Sequence, residues 1–200
     1  DECPLGEHHR QRGTWAPVPP EVNAPEEELC VLSEMPGPTE VEQRRPLVGR
    51  SWEDVLRPAL FKQGLSRDNV RIGNALLCRP ENQDLERLLV DVGRENKRRT
   101  AKNAELSAHG GATSGSLLPM IPDPRECCRP QLLHTVASAK NVLVMGATPW
   151  RSLTGEKRSM LDIRGAFIER HITPSGIVLR PAEIPGGGGY VPPPPGALQL

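Results

Sequence analysis

LCVLSEMPGPTEVEQRRPLVGRSW, residues 29–52, opens on a short apolar run that reads as a buried strand and breaks at a Pro-Gly turn carrying Glu34. Beyond that turn, Pro46 to Arg50 form a second short element. Trp52, Val55, Leu56, Leu60 and Phe61 then recur at helical spacing, with Gly64 as a stop. LSRDNVRIGNALLCRP, residues 65–80, supplies a turn at Ser66 and a second strand from Val70 that ends on Asn74, just before Cys78. Strand, helix, strand in this order is a β–α–β unit, whose crossover is right-handed in nearly all cases. Further on, a helix over Gln131–Ala139 leads into NVLVMGAT (141–148), a third apolar strand with another helix from Ala147. The pattern predicts an α/β protein, a three-layer α/β/α sandwich on a short, mainly parallel sheet. Its central strands fall at 29–33, 70–73 and 142–145. Polar side chains at the carboxyl ends of such strands are where open sheets gather their ligand sites, and Glu34 and Asn74 both lie there.

A chain of 200 residues suits one domain and can bury about 70% of its unfolded surface. With 25 basic and 25 acidic residues the net charge is zero, so any contact with nucleic acid must come from a local patch. Two Phe, one Tyr and three Trp leave the core to Leu, Ile, Val and Ala and limit aromatic stacking on bases. No run of about 18 apolar residues predicts a membrane span. The chain opens on Asp1 without Met and shows no signal peptide, so the true N-terminus, with or without a leader, is expected to lie outside it. Five cysteines are too few, and odd in number, for a secreted disulfide framework. The expected setting is cytoplasmic, for a monomer away from membranes whose cysteines serve a metal or catalysis.

Taken in order, these segments resemble the iron–sulfur, family-four uracil-DNA glycosylases. That family reads Gly-Glu-Ala-Pro-Gly, then a Gly-Arg-Pro-Phe-Val-Gly-like stretch, then Thr-Asn ending a strand, then Lys-Cys-Arg-Pro. CRPQLL at 128–133 is similar to its second Cys-x-Pro-x-Leu helix start, NVLVMGAT to its next core strand, and Cys3-Pro4-Leu5 to its N-terminal cysteine motif. The resemblance covers roughly residues 3–168, interrupted by one insertion. Each motif is weak alone, and the ordered set is fairly specific. It implies a DNA repair hydrolase that flips deoxyuridine from uracil-containing DNA and cleaves its N-glycosidic bond, leaving an abasic site. The alternative is a catalytically impaired, glycosylase-like module that only binds nucleic acid. Ser33 and Met35 in the turn, and Leu47 where the family carries Phe, favour that alternative. An unrelated hydrolase has less support, since no nucleophile elbow or phosphate loop is present.

The resemblance assigns roles to particular residues. Glu34 and Glu40 are the acidic pair that activates or orients the attacking water, and Met35, Pro36 and Gly37 line the uracil pocket. Leu47 packs on the base, and the Asn74 amide reads the O4 and N3–H edge of uracil. The plainer readings are a solvated Pro-Gly turn and an asparagine capping a strand end. Cys3, Cys78 and Cys128 fall at the second, third and fourth ligands of a 4Fe–4S cluster, with the first ligand one position before Asp1. Cys127 is a possible substitute, zinc is the competing metal, and Cys30 reads as core. The plainer reading makes all five buried small hydrophobes. The family's His-Pro-Ser or His-Pro-Ala motif is not found: His171 is followed by Ile-Thr-Pro-Ser, and the chain ends at Leu200 before such a motif. His8, His9 and His134 read as ordinary histidines. DNA phosphates would meet Arg44, Arg45 and Arg50 and the Gly146-Ala147-Thr148 turn, while Arg94–Lys102 reads as a solvated face.

The domain layout expected is an N-terminal loop segment with part of a cysteine motif (1–28), a glycosylase-like domain (29–170) and a Pro/Gly-rich C-terminal segment (171–200). Within the domain, about 84–122 is an insertion. Leu85, Leu88, Leu89 and Val92 begin an amphipathic helix, RENKRRTAK follows, and AHGGATSGS is a linker by composition. Residues 94–118 and 183–200 are expected to be the least packed.

Overall fold

A computed structural model gives the architecture over residues 3–6, 17–23, 29–80, 84–108, 117–137, 139–156, 159, 161, 168–173 and 176–181. The apolar run that opens the quoted stretch is a central strand of a four-stranded sheet. Strand β1 is Glu21–Val22, β2 is Leu29–Ser33, β3 is Arg71–Asn74 and β4 is Asn141–Val144, in the spatial order β1-β3-β2-β4. β2 pairs in parallel with β3 and with β4, and β1 closes one edge antiparallel to β3. The three expected strands are therefore present, displaced by at most one residue.

Helices connect them: α1 (Pro38–Gln43), α2 (Arg57–Phe61), α3 (Leu85–Ala108), α4 (Pro124–Val136) and α5 (Ala147–Thr154). Side chains alternate across β2, so its two faces bury different partners. Val31 packs with Ile72, Val70, Leu47, Trp52, Leu56 and Leu60 on one face. Cys30 and Leu32 pack with Leu132 and Val136 of α4 and Leu153 of α5 on the other. Layers on both faces make the three-layer sandwich. Gly73 marks where α4 comes closest, because a Cβ there would sit 3.3 Å from Thr135 Cγ2. Arg71, buried beside it, donates to the Thr135 carbonyl at 2.7 Å.

Several expectations change. Of the five apolar residues at helical spacing, Trp52, Leu56 and Leu60 are buried, while Val55 and Phe61 are 60% and 79% exposed. Pro58 has no N–H to donate, so Ser51–Leu56 winds as a wider π-turn before α2, and the apolar stripe narrows. The second helix starts at Pro124, seven residues before Gln131, because Asp123 caps it by accepting from the Arg125 N–H at 2.8 Å. Residues 94–108, expected to be loosely organised, belong to α3. Its Asn96 exchanges two hydrogen bonds with the Ile121 backbone and its Asn103 two with the Leu118 backbone, at 2.7–2.9 Å. Residues seven apart share a helix face, so two amides fasten the returning segment along α3. The strands β5 (Ile168–Thr173) and β6 (Gly176–Pro181) pair antiparallel across the expected boundary at 170/171. His171 lies within β5. His8, His9 and the stretches 109–116 and 183–200 lie outside the described residues.

Candidate active site

The cleft forms where β2 and β3 end side by side. Register puts Ser33 next to Asn74, so the chain leaving β2 passes directly over the end of β3. The pairing continues past the strands: Ala75 N–H donates to the Ser33 carbonyl at 2.9 Å and Leu76 N–H to the Glu34 carbonyl at 3.0 Å. This pins the Glu34–Met35 loop over the sheet edge. A cleft of about 490 Å³ opens beside it, between the loop, the first turn of α1 and the Leu47–Ser51 segment. Glu34, Met35, Gly37, Glu40 and Leu47 line it. Pro36 does not, because its side chain is fully buried beneath the turn.

The two carboxylates have different surroundings. Glu34 Oε1 accepts a hydrogen bond from the Thr148 hydroxyl at the head of α5. Among the described residues its Oε2 has no protein partner, so that oxygen is available to the cleft. Glu40 has both oxygens engaged. Its Oε2 accepts from Gly37 N–H at 2.5 Å, the reach-back from the third helical position to an N-cap backbone donor. Its Oε1 accepts from Leu47 N–H and from Asn74 Nδ2, the latter at 3.4 Å. Glu40 therefore ties three segments together.

Asn74 is 4% exposed and sits behind Glu40 rather than on the cleft lining. The carboxylate accepts only, so it fixes which end of the amide faces it: the nitrogen. Asn74 Oδ1 is then buried with no hydrogen-bond partner in the protein. An orphaned acceptor costs about 1–3 kcal/mol, and a bound donor would recover it. Leu47 is buried against Trp52 while still reaching the cleft, and its backbone is left-handed at φ +50°.

The cysteines divide as their surroundings dictate. Cys30 is core. Cys78 and Cys128 share an apolar cluster with Leu5, Leu76 and Leu85, against which Cys3 and Met35 also pack. Three distant segments thus contribute cysteines to one apolar cluster. Cys127 turns its thiol toward Cys3 and is pushed up to about 12, first by desolvation and then by the charge of and hydrogen bond with Cys3. Burial raises Cys128 as well, against a hydrogen bond with the Leu77 backbone. The donor set is right in kind for a thiophilic metal, being all thiol, apolar-shielded and gathered from separate segments. Among the described residues no three potential ligands are drawn into a metal-binding group.

The basic residues expected on the surface are mostly engaged. Arg45 donates to Glu21 at 2.6 Å. Arg94 pairs with Asp91, and Arg98 and Arg99 pair with Glu95, which fits a solvated helix face. Arg44 and Arg50 are exposed, and Arg50 lines the cleft. The contacts that local sequence reading did not identify are long-range: Thr148 on Glu34, and Arg67, whose guanidinium holds the Pro46 and Leu47 carbonyls.

The family model described as the uracil DNA glycosylase superfamily matches residues 19–184. Over 82 residues the chain is 35% identical to a protein of Pyrobaculum aerophilum named type-4 uracil-DNA glycosylase. That match covers 41% of the chain and 38% of the relative, so the aligned part is well under half of either protein.

Proposed function

Because the chain belongs to the uracil DNA glycosylase superfamily, we propose that it acts in DNA repair by extruding deoxyuridine and hydrolysing its N-glycosidic bond. The observation that carries this reading is the cleft at the ends of β2 and β3, lined by Glu34 and Leu47, with the Asn74 amide, expected to read the base, lying behind Glu40 instead of on the lining. The amide nitrogen is turned to Glu40 and its buried oxygen is unpaired. A base that passes Glu40 to reach this amide would offer an N3–H donor to that oxygen and an O4 acceptor to the second hydrogen of the nitrogen. Cytosine presents the reverse pattern, and an amide that Glu40 keeps from flipping rejects it.

Glu34 is the carboxylate assigned to the water. Thr148 orients it from one side, and its other oxygen can accept a water proton hydrogen bond on the sugar face of the cleft. As the glycosidic bond lengthens, positive charge grows on the sugar and negative charge on the base. Glu34 stabilises the first, and the Asn74 donor takes part of the second at O4. Glu40 holds the loop, the α1 cap and Asn74 in register, which supports a positioning role beside the activating or orienting of water that the resemblance implies for it. Leu47 forms the apolar wall for the base. Arg44 and Arg50 supply charge for the flanking phosphates.

Cys3, Cys78 and Cys128 would hold a 4Fe–4S cluster. When bound, it supplies a cross-link between the N-terminal turn, the segment after β3 and α4. Nothing in the hydrolysis requires electron transfer. The protein would act on DNA away from any membrane, and no helix among the described residues is long and apolar enough to cross one.

The test is excision. The intact protein is incubated with a single- or double-stranded oligonucleotide containing one deoxyuridine, and abasic sites are scored by alkaline cleavage. Uracil release, absent for a matched cytosine strand, is expected. Binding to the oligonucleotide without release would return the reading to a non-catalytic module.

A further inference from the structure

The wall of the cleft is strained, and the strain is held from a distance. Leu47 is a branched residue at φ +50°, a conformation that costs an L-residue roughly 1–2 kcal/mol. Glycine there would remove the cost. Instead two side chains, through three hydrogen bonds, fix the peptide units on either side of it. Glu40 accepts the Leu47 N–H. Arg67 spans two successive carbonyls, Nη1 donating to Leu47 O at 2.9 Å and Nη2 to Pro46 O at 2.5 Å.

Arg67 is itself fixed. Its Nε donates to Glu21 Oε2 at 2.8 Å, both side chains being about 15% exposed, and the guanidinium lies 4.7 Å from the Trp52 ring centre. Glu21 belongs to β1 and Trp52 packs against Leu47, so the clamp connects the sheet edge to the cleft wall. A partly buried ion pair is poor value as a stabiliser alone, whereas a planar fork suits holding two acceptors in fixed geometry. The strained residue that it holds is the one whose side chain faces the cleft.

We propose that Arg67 is a positioning residue for the base pocket. Braced by Glu21 and Trp52, it keeps Leu47 in its left-handed backbone so that the side chain forms the wall on which the extruded base packs. This rests on reading the cleft as a uracil pocket.

Arg67→Lys retains the charge and the contact with Trp52 but cannot span two carbonyls. It is compared with Leu47→Gly and with the double variant in the intact protein. Melting temperature, kcat and KM on a deoxyuridine oligonucleotide, inhibition by free uracil and affinity for abasic product DNA are measured. Arg67→Lys is expected to weaken inhibition by free uracil about five- to thirty-fold, the factor that releasing the Leu47 strain represents. Product-DNA affinity stays the same, which general loosening of the fold would not allow. In the Leu47→Gly background Arg67→Lys should change uracil inhibition by less than about two-fold, since residues acting through one another are not additive. Full additivity, or parallel loss of uracil and product-DNA binding, overturns the positioning role. A parent protein that neither excises nor binds uracil overturns the pocket reading, and this inference with it.

Discussion

Glu40→Gln separates a brace from a base. The carboxylate accepts three protein hydrogens: Gly37 N–H at 2.5 Å, Leu47 N–H, and Asn74 Nδ2 at 3.4 Å. A glutamine at this position has one acceptor oxygen and two N–H donors, so in either orientation its NH₂ meets a donor. If its oxygen stays with Leu47 and Asn74, Gly37 N–H at the cap of α1 is left facing nitrogen. If it stays with Gly37, Leu47 N–H is orphaned and Asn74 is free to rotate its oxygen toward the new NH₂. At least one half-buried donor is lost, at about 1–3 kcal/mol. For a domain of this size the melting temperature should fall by roughly 2–12 °C. Excision of uracil should fall with it, and the margin over cytosine should narrow because the amide of Asn74 is no longer held. The assay is thermal melting beside single-turnover excision on paired uracil and cytosine oligonucleotides. Abolished activity with a melting temperature unchanged to within about 1 °C would refute the reasoning and make Glu40 the group that works on water.

Asn74→Ala should reduce uracil excision by about five- to 150-fold, the worth of one lost buried hydrogen bond or two, while melting changes little, because Oδ1 is already unpaired and Nδ2 makes only a long contact. Asn74→Asp, by contrast, should also destabilise, since it sets a second carboxylate against Glu40; equal melting for the two variants would count against that geometry. Cys78→Ser should bleach absorbance near 400 nm (roughly the thiolate-to-iron region) and lower the melting temperature, whereas an unchanged spectrum would exclude Cys78 as a cluster ligand. Leu47→Phe should strengthen inhibition by free uracil by about fivefold, as a π-face adds on the order of 1 kcal/mol to packing on a base, and weaker inhibition would show that the wall has no room for a ring.

The fold was legible because its strands are short apolar runs bounded by turns, and the place of the candidate cleft because polar residues stand where those runs end, although Asn74 lies behind its lining. Glu34 and Asn74 were identifiable from one strand end each, and parallel register brings them together. Glu40 carried a legible signal of another kind, a carboxylate three residues after a Pro-Gly turn that opens a helix, which is how half of a capping box is written. The family resemblance gave it a chemical role, while its neighbours give it a structural one. Arg67 could not be found this way. Its partners lie 20, 21 and 46 positions away, and no periodicity connects Glu21 to Pro46. Residues 94–108 were misjudged because charge and the Gly/Ser stretch beyond them outweighed helix-forming composition, and because the amide pairs that fasten α3 close only in three dimensions.

The departures from the family pattern bear on the same division. Leu47, which the resemblance sets at a Phe position, has its backbone held by Arg67 at the cleft wall, where it offers less of a face than a ring. Met35 both lines the cleft and packs against the cluster of Cys78 and Cys128. A long, flexible thioether can fill the gap between the pocket loop and the thiols in a way that the family's Ala or Gly cannot. A metal held by these thiols would therefore bear on the wall of the pocket through Met35, and its removal should be read first in how tightly the cleft holds a free base.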